Sequence, residues 1–163
     1  MNKFTIKDLI VEVTIAAIYV CLVLAFYFMS FDAIQFRIAE ALLVLVFLNK
    51  KHTIGIVTGT FLANWMGSIG IVDALFGSLA TLIVCLLLMP FKRRPHIGLA
   101  IIPALINGVV VSFELALLYD LWDQFLINMG WVALGEAVVM IVIGIPLLMT
   151  IKKMKLDELL HLN

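Results

Sequence analysis

Charge is what this chain has least of. Only 13% of its 163 residues are Asp, Glu, Lys or Arg, and 64% are hydrophobic, with a mean hydropathy of +1.19. Ordinary soluble domains carry about 25% charged residues. The shortage excludes a solvated globular surface and describes an integral membrane protein. The four prolines and ten glycines form no linker-like run. With no internal repeat or low-complexity stretch, residues 1–163 read as one membrane domain. The two cysteines, Cys21 and Cys85, lie in apolar runs, where they serve as small packing residues rather than as a disulfide. Motifs of chemistry are missing as well. There is no G-x-x-x-x-G-K-[ST] for nucleotide phosphates, no nucleophile elbow, and no His/Cys/Asp set at metal-ligand spacing. An enzyme, a metal centre, a resident cofactor and a nucleic-acid partner are therefore not expected. The first apolar run contains Glu12 and is closed by no small-x-small cleavage site, so it reads as a retained helix rather than a signal peptide.

What the chain does have is apolar helix. Six segments emerge at about 10–29, 36–48, 52–65, 73–90, 97–118 and 131–151. The second and third are short, since 13 helical residues cover roughly 20 Å of a hydrocarbon core about 30 Å thick. Basic residues give the path. Lys3 and Lys7 precede segment one, Lys50 and Lys51 follow segment two, Lys92, Arg93 and Arg94 follow segment four, and Lys152, Lys153 and Lys155 follow segment six. If every segment crosses, ten of the eleven cations fall on one side and only Arg37 on the other. Short basic loops are retained in the cytoplasm. The expected architecture is an all-α bundle of six transmembrane helices with both termini cytoplasmic. The opposite side is acidic, with Asp32, Asp73, Asp120 and Asp123, and carries Tyr119, Trp122 and Trp131 at depths that suit an interfacial aromatic belt.

Against this background the stretch FDAIQFRIAEAL, Phe31 to Leu42, stands out for packing Asp32, Gln35, Arg37 and Glu40 into nine residues. Arg37 and Glu40 are spaced to pair along one helix face, either as a structural anchor or as ligand contacts. Glu114 and Glu136 fall near the outer ends of segments five and six, which run in opposite directions, so both carboxylates reach similar depth. Asn107 lies seven residues before Glu114 and on the same helical face. Ionisable groups inside a span are costly and usually face the bundle interior, which makes each a candidate site residue; reaching the interface, or bonding to a neighbouring helix, remains the alternative. Asn64 and Trp65 close segment three on the outer side, and Asp73 opens segment four, where a carboxylate also suits a helix start. On segment one, Ala16, Ala17 and Cys21 form a strip of small side chains that another helix can approach closely, whether within the bundle or on a partner.

Two blocks, IQFRIAEAL and LANWMGSIGIVDALFGSLATL (Leu62 to Leu82), closely resemble the QueT family, predicted substrate-binding subunits of energy-coupling-factor transporters for queuosine precursors. PALINGVVV in segment five and GEAVVMIVIGIPLL in segment six extend the resemblance over nearly the whole chain. The resemblance implies a six-helix subunit in a bacterial plasma membrane that binds a small solute at its outer face. It also implies partners: a transmembrane coupling subunit and two cytoplasmic ATPases, with the small-residue strip Ala16, Ala17 and Cys21 as docking surface. The implied ligand is a 7-deazapurine. Such a ring offers an N–H and an amine that a carboxylate accepts, and a carbonyl that needs a donor such as Asn107 or Arg37. Its faces would stack on Trp65 or Trp131. The implied site draws on Arg37, Glu40, Asn64, Trp65, Asp73, Asn107, Glu114, Trp131 and Glu136, with Glu136 the stronger of the two membrane acids because its GEAVV context is the more family-like. The same architecture for another vitamin or purine, or a self-sufficient carrier or channel with Glu114 and Glu136 as proton relays, are the competing readings.

Overall fold

A computed structural model describes residues 4–30 and 35–154, and every described element is helical. The order is α1 (Ile6–Ala25), the single turn α2 (Tyr27–Ser30), a long 3₁₀ helix (Ile38–Phe47, hereafter the 3₁₀ helix), α3 (His52–Trp65), α4 (Ile71–Leu88) with a short 3₁₀ extension (Met89–Arg93), α5 (Pro95–Tyr119), a 3₁₀ turn (Trp122–Gln124), α6 (Phe125–Val139), a π turn (Met140–Gly144) and α7 (Ile145–Lys153). Four stretches are long and apolar enough to cross a membrane: Ile6–Ala25, Ile71–Arg93, Pro95–Tyr119 and Trp122–Lys153. Their outward faces carry apolar side chains at helical spacing, as in Leu75, Leu79, Leu82 and Leu86, or Ile97, Ile101, Leu105, Val109, Phe113 and Leu117. The interior holds the polar groups, including Glu12, Arg37, Glu40, Asp73, Glu114 and Glu136. A soluble domain would invert that arrangement, so the protein is a membrane protein.

Local sequence explains the element ends. Thr5 accepts from the Asp8 N–H while Asp8 accepts from Thr5, a capping box that starts α1 four residues earlier than the hydropathy pattern suggests. Gly70, at φ 74°, supplies the left-handed residue from which α4 starts. The sixth segment begins at Phe125 rather than Trp131 and passes through the π turn before Pro146. The second segment departs most from expectation: Ile38–Phe47 winds as a 3₁₀ helix, unusually long for its kind, in the middle of the bundle and in contact with α1, α3, α4, α5, α6 and α7. Crowding from all sides, with Ala39, Glu40, Ala41, Leu43, Val44 and Val46 almost wholly buried, accompanies the tighter winding.

Helices α1 and α3 run parallel from the cationic end, as the Lys51–Asp8 ion pair at 2.9 Å shows. They touch closely because α3 carries Gly55-x-x-x-Gly59. Beside Gly55, the Glu12 carboxylate accepts from the Gly55 N–H at 3.0 Å and meets His52 Nδ1 at 2.8 Å. A Cβ on Gly59 would stand 2.7 Å from Tyr19 Cβ and 3.1 Å from the Ala16 backbone. Gly59→Ala should therefore destabilise the protein by about 1–3 kcal/mol, the usual cost of overpacking, read as a lower unfolding temperature in detergent. An unchanged midpoint would mean that the α1–α3 contact relaxes freely.

Candidate functional site

A cavity of about 230 Å³ opens at the acidic end, opposite the clusters of lysine and arginine. Its polar wall is built by Gln35 and Arg37 ahead of the 3₁₀ helix, Ser68 between α3 and α4, Asp73 in the first turn of α4, Glu114 near the end of α5 and Asn128 in the first turn of α6. Ile69, Val111, Leu115 and Leu121 supply the apolar wall. Gln35 is held in left-handed backbone at φ 50°, and its buried Oε1 meets no hydrogen-bond partner among the described residues. Non-glycine residues adopt that conformation at a cost, and such costs concentrate at binding sites. The volume lies below the 300–1,000 Å³ common for drug-sized ligands, which suits a small ring compound.

Arg37 organises the site. Its Nη2 lies 3.7 Å from Asp73 Oδ1, both side chains being about 95% buried. Asn64, 1% exposed, braces Asp73 from behind, its Nδ2 donating to Asp73 O at 3.2 Å and to Oδ1 at 3.3 Å. The side chain of Asn64 has this space because residue 77 is glycine, whose Cβ would collide with the amide. Glu114 stands within electrostatic range of both Asp73 and Arg37, and its Oε1 has no partner among the described residues. Behind this front row lies a second. Glu40 accepts from the Tyr19 hydroxyl at 2.5 Å, and Glu136 sits beside Glu40, Arg37 and Asn107. One guanidinium thus faces four buried carboxylates, Asp73, Glu114, Glu40 and Glu136. Buried carboxylates persist only with hydrogen bonds, counter-charge or protons, so the arrangement is primed to accept N–H groups or a positive charge.

Several expectations change on contact with this geometry. Arg37, the non-helical cap of the 3₁₀ helix (φ −82°, ψ 82°), turns toward α4 and forms an ion pair with Asp73, a partner that spacing did not suggest, while Glu40 stays beside it. Asp73 makes no side-chain cap bond to α4, since its carboxylate is engaged by Asn64 and Arg37. Glu114 and Glu136 are both buried on contacting helices, but only Glu114 lines the cavity, while Glu136 and Asn107 stand back toward the 3₁₀ helix. Trp65 and Trp131 lie outside the lining, 56% and 46% exposed. Asp32 lies outside the described residues. Gln35, Ser68, Asn128 and Tyr19 were not singled out from sequence as site residues; for Gln35 the polar stretch around Arg37 was the available signal. All three residues of the helix-one strip line an apolar groove of about 530 Å³ between α1 and α3, Ala17 and Cys21 exposed in it and Ala16 buried against α3. Among the described residues no group of acids, histidines and cysteines is arranged to hold a metal.

Comparison with known proteins agrees with the resemblance carried by the sequence blocks. A curated protein of Lactococcus lactis subsp. cremoris (strain MG1363), the queuosine precursor transporter QueT, is 30% identical over 151 residues, covering 83% of this chain and 87% of its own length. No solved structure matches. The family model of the QueT transporter matches residues 9–153, and the chain belongs to that family.

Proposed function

We propose that this chain is the substrate-binding subunit of an energy-coupling-factor importer and takes up a queuosine precursor, a 7-deazaguanine. The observation that carries the reading is the polar cavity at the acidic end, in a chain whose sequence has no nucleotide-binding motif. The relative's name supplies the ligand class. In this reading the 3₁₀ helix and α3 complete six crossings, and the cationic end, with both termini, faces the cytoplasm of a bacterial cell. There the subunit meets a transmembrane coupling protein and two ATPases that provide the energy. The ligand's N–H and amine edge lies against Glu114 and Asp73, and its carbonyl accepts from Arg37 or the Gln35 amide. Asn64 and the second row of Glu40, Asn107 and Glu136 hold the first row in place. Trp65 and Trp131 serve as belt residues at the membrane surface.

Calorimetry on the purified chain without ATP tests the reading. Queuine and its aminomethyl and nitrile precursors should bind, and guanine should bind more weakly. Binding of an unrelated vitamin, with none to any deazapurine, would remove the substrate and leave the transporter class. Glu114→Gln keeps the shape but turns a donor toward the ligand's donors. A hydrogen bond to a charged group contributes about 1.5–3 kcal/mol, so affinity should fall roughly tenfold to 150-fold. Glu136→Gln, one row back, should cost less. An affinity unmoved by Glu114→Gln would place the ligand elsewhere.

A further inference from the structure

Tyr19 is fully buried in the middle of α1, a helix whose other faces are almost entirely apolar. A phenol inside a bundle needs a polar partner, and Tyr19 finds one across the core by donating to Glu40 Oε1. The second oxygen of Glu40, Oε2, is buried and meets no hydrogen-bond partner among the described residues. Glu40 also stands beside Thr81 and Arg37. Arg37 is a cavity wall and is paired with Asp73, another wall. A continuous buried path, Asp73–Arg37–Glu40–Tyr19, therefore leads from the cavity to α1. Two residues on either side of Tyr19, close to half a helical revolution away, Ala17 and Cys21 face outward into the apolar groove. Tyr19 cannot swing aside freely, because Gly59 brings α3 to within contact of its Cβ.

We propose that Tyr19 is a positioning residue for the ligand cavity: by fixing Glu40 it sets Arg37 at the cavity wall, and it carries the state of Arg37 to the outer face of α1. The inference rests on the cavity being the ligand site of the proposed function. A ligand that donates to Asp73 or accepts from Arg37 competes with the Arg37–Asp73 pair. Arg37 donors released in that competition can turn to Glu40 Oε2, a buried acceptor beside Arg37 with no hydrogen-bond partner among the described residues. A Glu40 drawn toward Arg37 pulls on the Tyr19 hydroxyl and, through a ring wedged against α3, on α1. The ligand thereby favours one setting of α1 over another, which is all that coupling between two sites requires.

The full chain in detergent reports both ends of this path. Affinity for 7-aminomethyl-7-deazaguanine is measured by calorimetry, and the rate of Cys21 alkylation by a small maleimide is followed with and without ligand. Cys85, buried at 0% exposure, is the unreactive internal reference. In the wild type, saturating ligand should change the Cys21 rate by roughly fivefold, the lower end of ordinary coupling between sites. Tyr19→Phe keeps the ring and removes the hydroxyl; affinity should fall roughly tenfold, and the ligand-dependent change at Cys21 should vanish even at saturation. Glu40→Gln leaves Tyr19 an acceptor but takes the charge from Arg37, and it should lose the Cys21 response equally, so a poorly folding Tyr19→Phe does not decide the matter. A Cys21 response that survives in either variant, or that is absent from a ligand-bound wild type, overturns this inference and leaves the proposed function standing. A wild type that binds no deazapurine removes the substrate of the proposed function and this inference with it.

Discussion

Replacing Arg37 with glutamine should cost this protein about 3–5 kcal/mol of stability and abolish ligand binding, the largest effect expected of any single substitution in the site. The side chain is 5% exposed and is the one cation that Asp73, Glu40 and Glu136 share. Removing it leaves buried carboxylates that must either take up protons or open the bundle to water. Thermal unfolding in detergent measures the first consequence and calorimetry the second. The double variant Arg37→Gln/Asp73→Asn should recover part of the stability, because it removes the acid along with its counter-charge, but not the binding, because both cavity walls are altered. Stability of the single variant indistinguishable from wild type would mean that the acids around Arg37 are already neutral and that the guanidinium does not hold the site together.

Ala17→Trp should reduce uptake to background while leaving ligand affinity within about twofold of wild type. Ala17 is exposed in the groove between α1 and α3, which is lined by Val13, Val20, Ile54 and Leu62 and is almost without polar groups. Helices approach closely in a membrane only where side chains are small, so an indole in the groove blocks a partner helix outright. The cavity lies at the other end of the polar path and loses no contact. Uptake in cells that also hold the proposed coupling subunit and ATPases, set beside calorimetry on the purified variant, separates the two effects. Parallel loss of both would show that position 17 belongs to internal packing.

Apolar segments were legible because hydropathy is a local signal, and the positions of the acids were legible because any ionisable group is conspicuous in such a chain. Partners across the core were not. Arg37 is three residues from Glu40, and spacing alone pairs them; the ion pair with Asp73, 36 positions away, depends on a backbone turn at Arg37 that no propensity announces. The 3₁₀ winding of Ile38–Phe47 was hidden for the same reason, since its composition equally suits an α-helix. Sequence context favoured Glu136 over Glu114, whereas the cavity wall is formed by Glu114. Nothing in the sequence marks Tyr19, whose importance rests on Glu40 lying opposite its hydroxyl. The glycine pair of α3, Gly55 and Gly59, gains its meaning as a close-packing motif from α1 being its neighbour.

Helix α3 has 14 residues and so spans about 21 Å, yet it presents Ile54, Leu62 and Trp65 to the outside. In the proposed six-crossing arrangement, lipid beside this helix meets an apolar surface roughly 9 Å shorter than an average hydrocarbon core, a hydrophobic mismatch on one flank of the bundle. Acyl chains there must compress or tilt, and the strain is relieved when a protein surface replaces them. The groove of α1 lies on this same flank, so under the proposed function thinned lipid would itself be part of the driving force for association, and bilayers of longer acyl chains should favour the assembled over the solitary subunit.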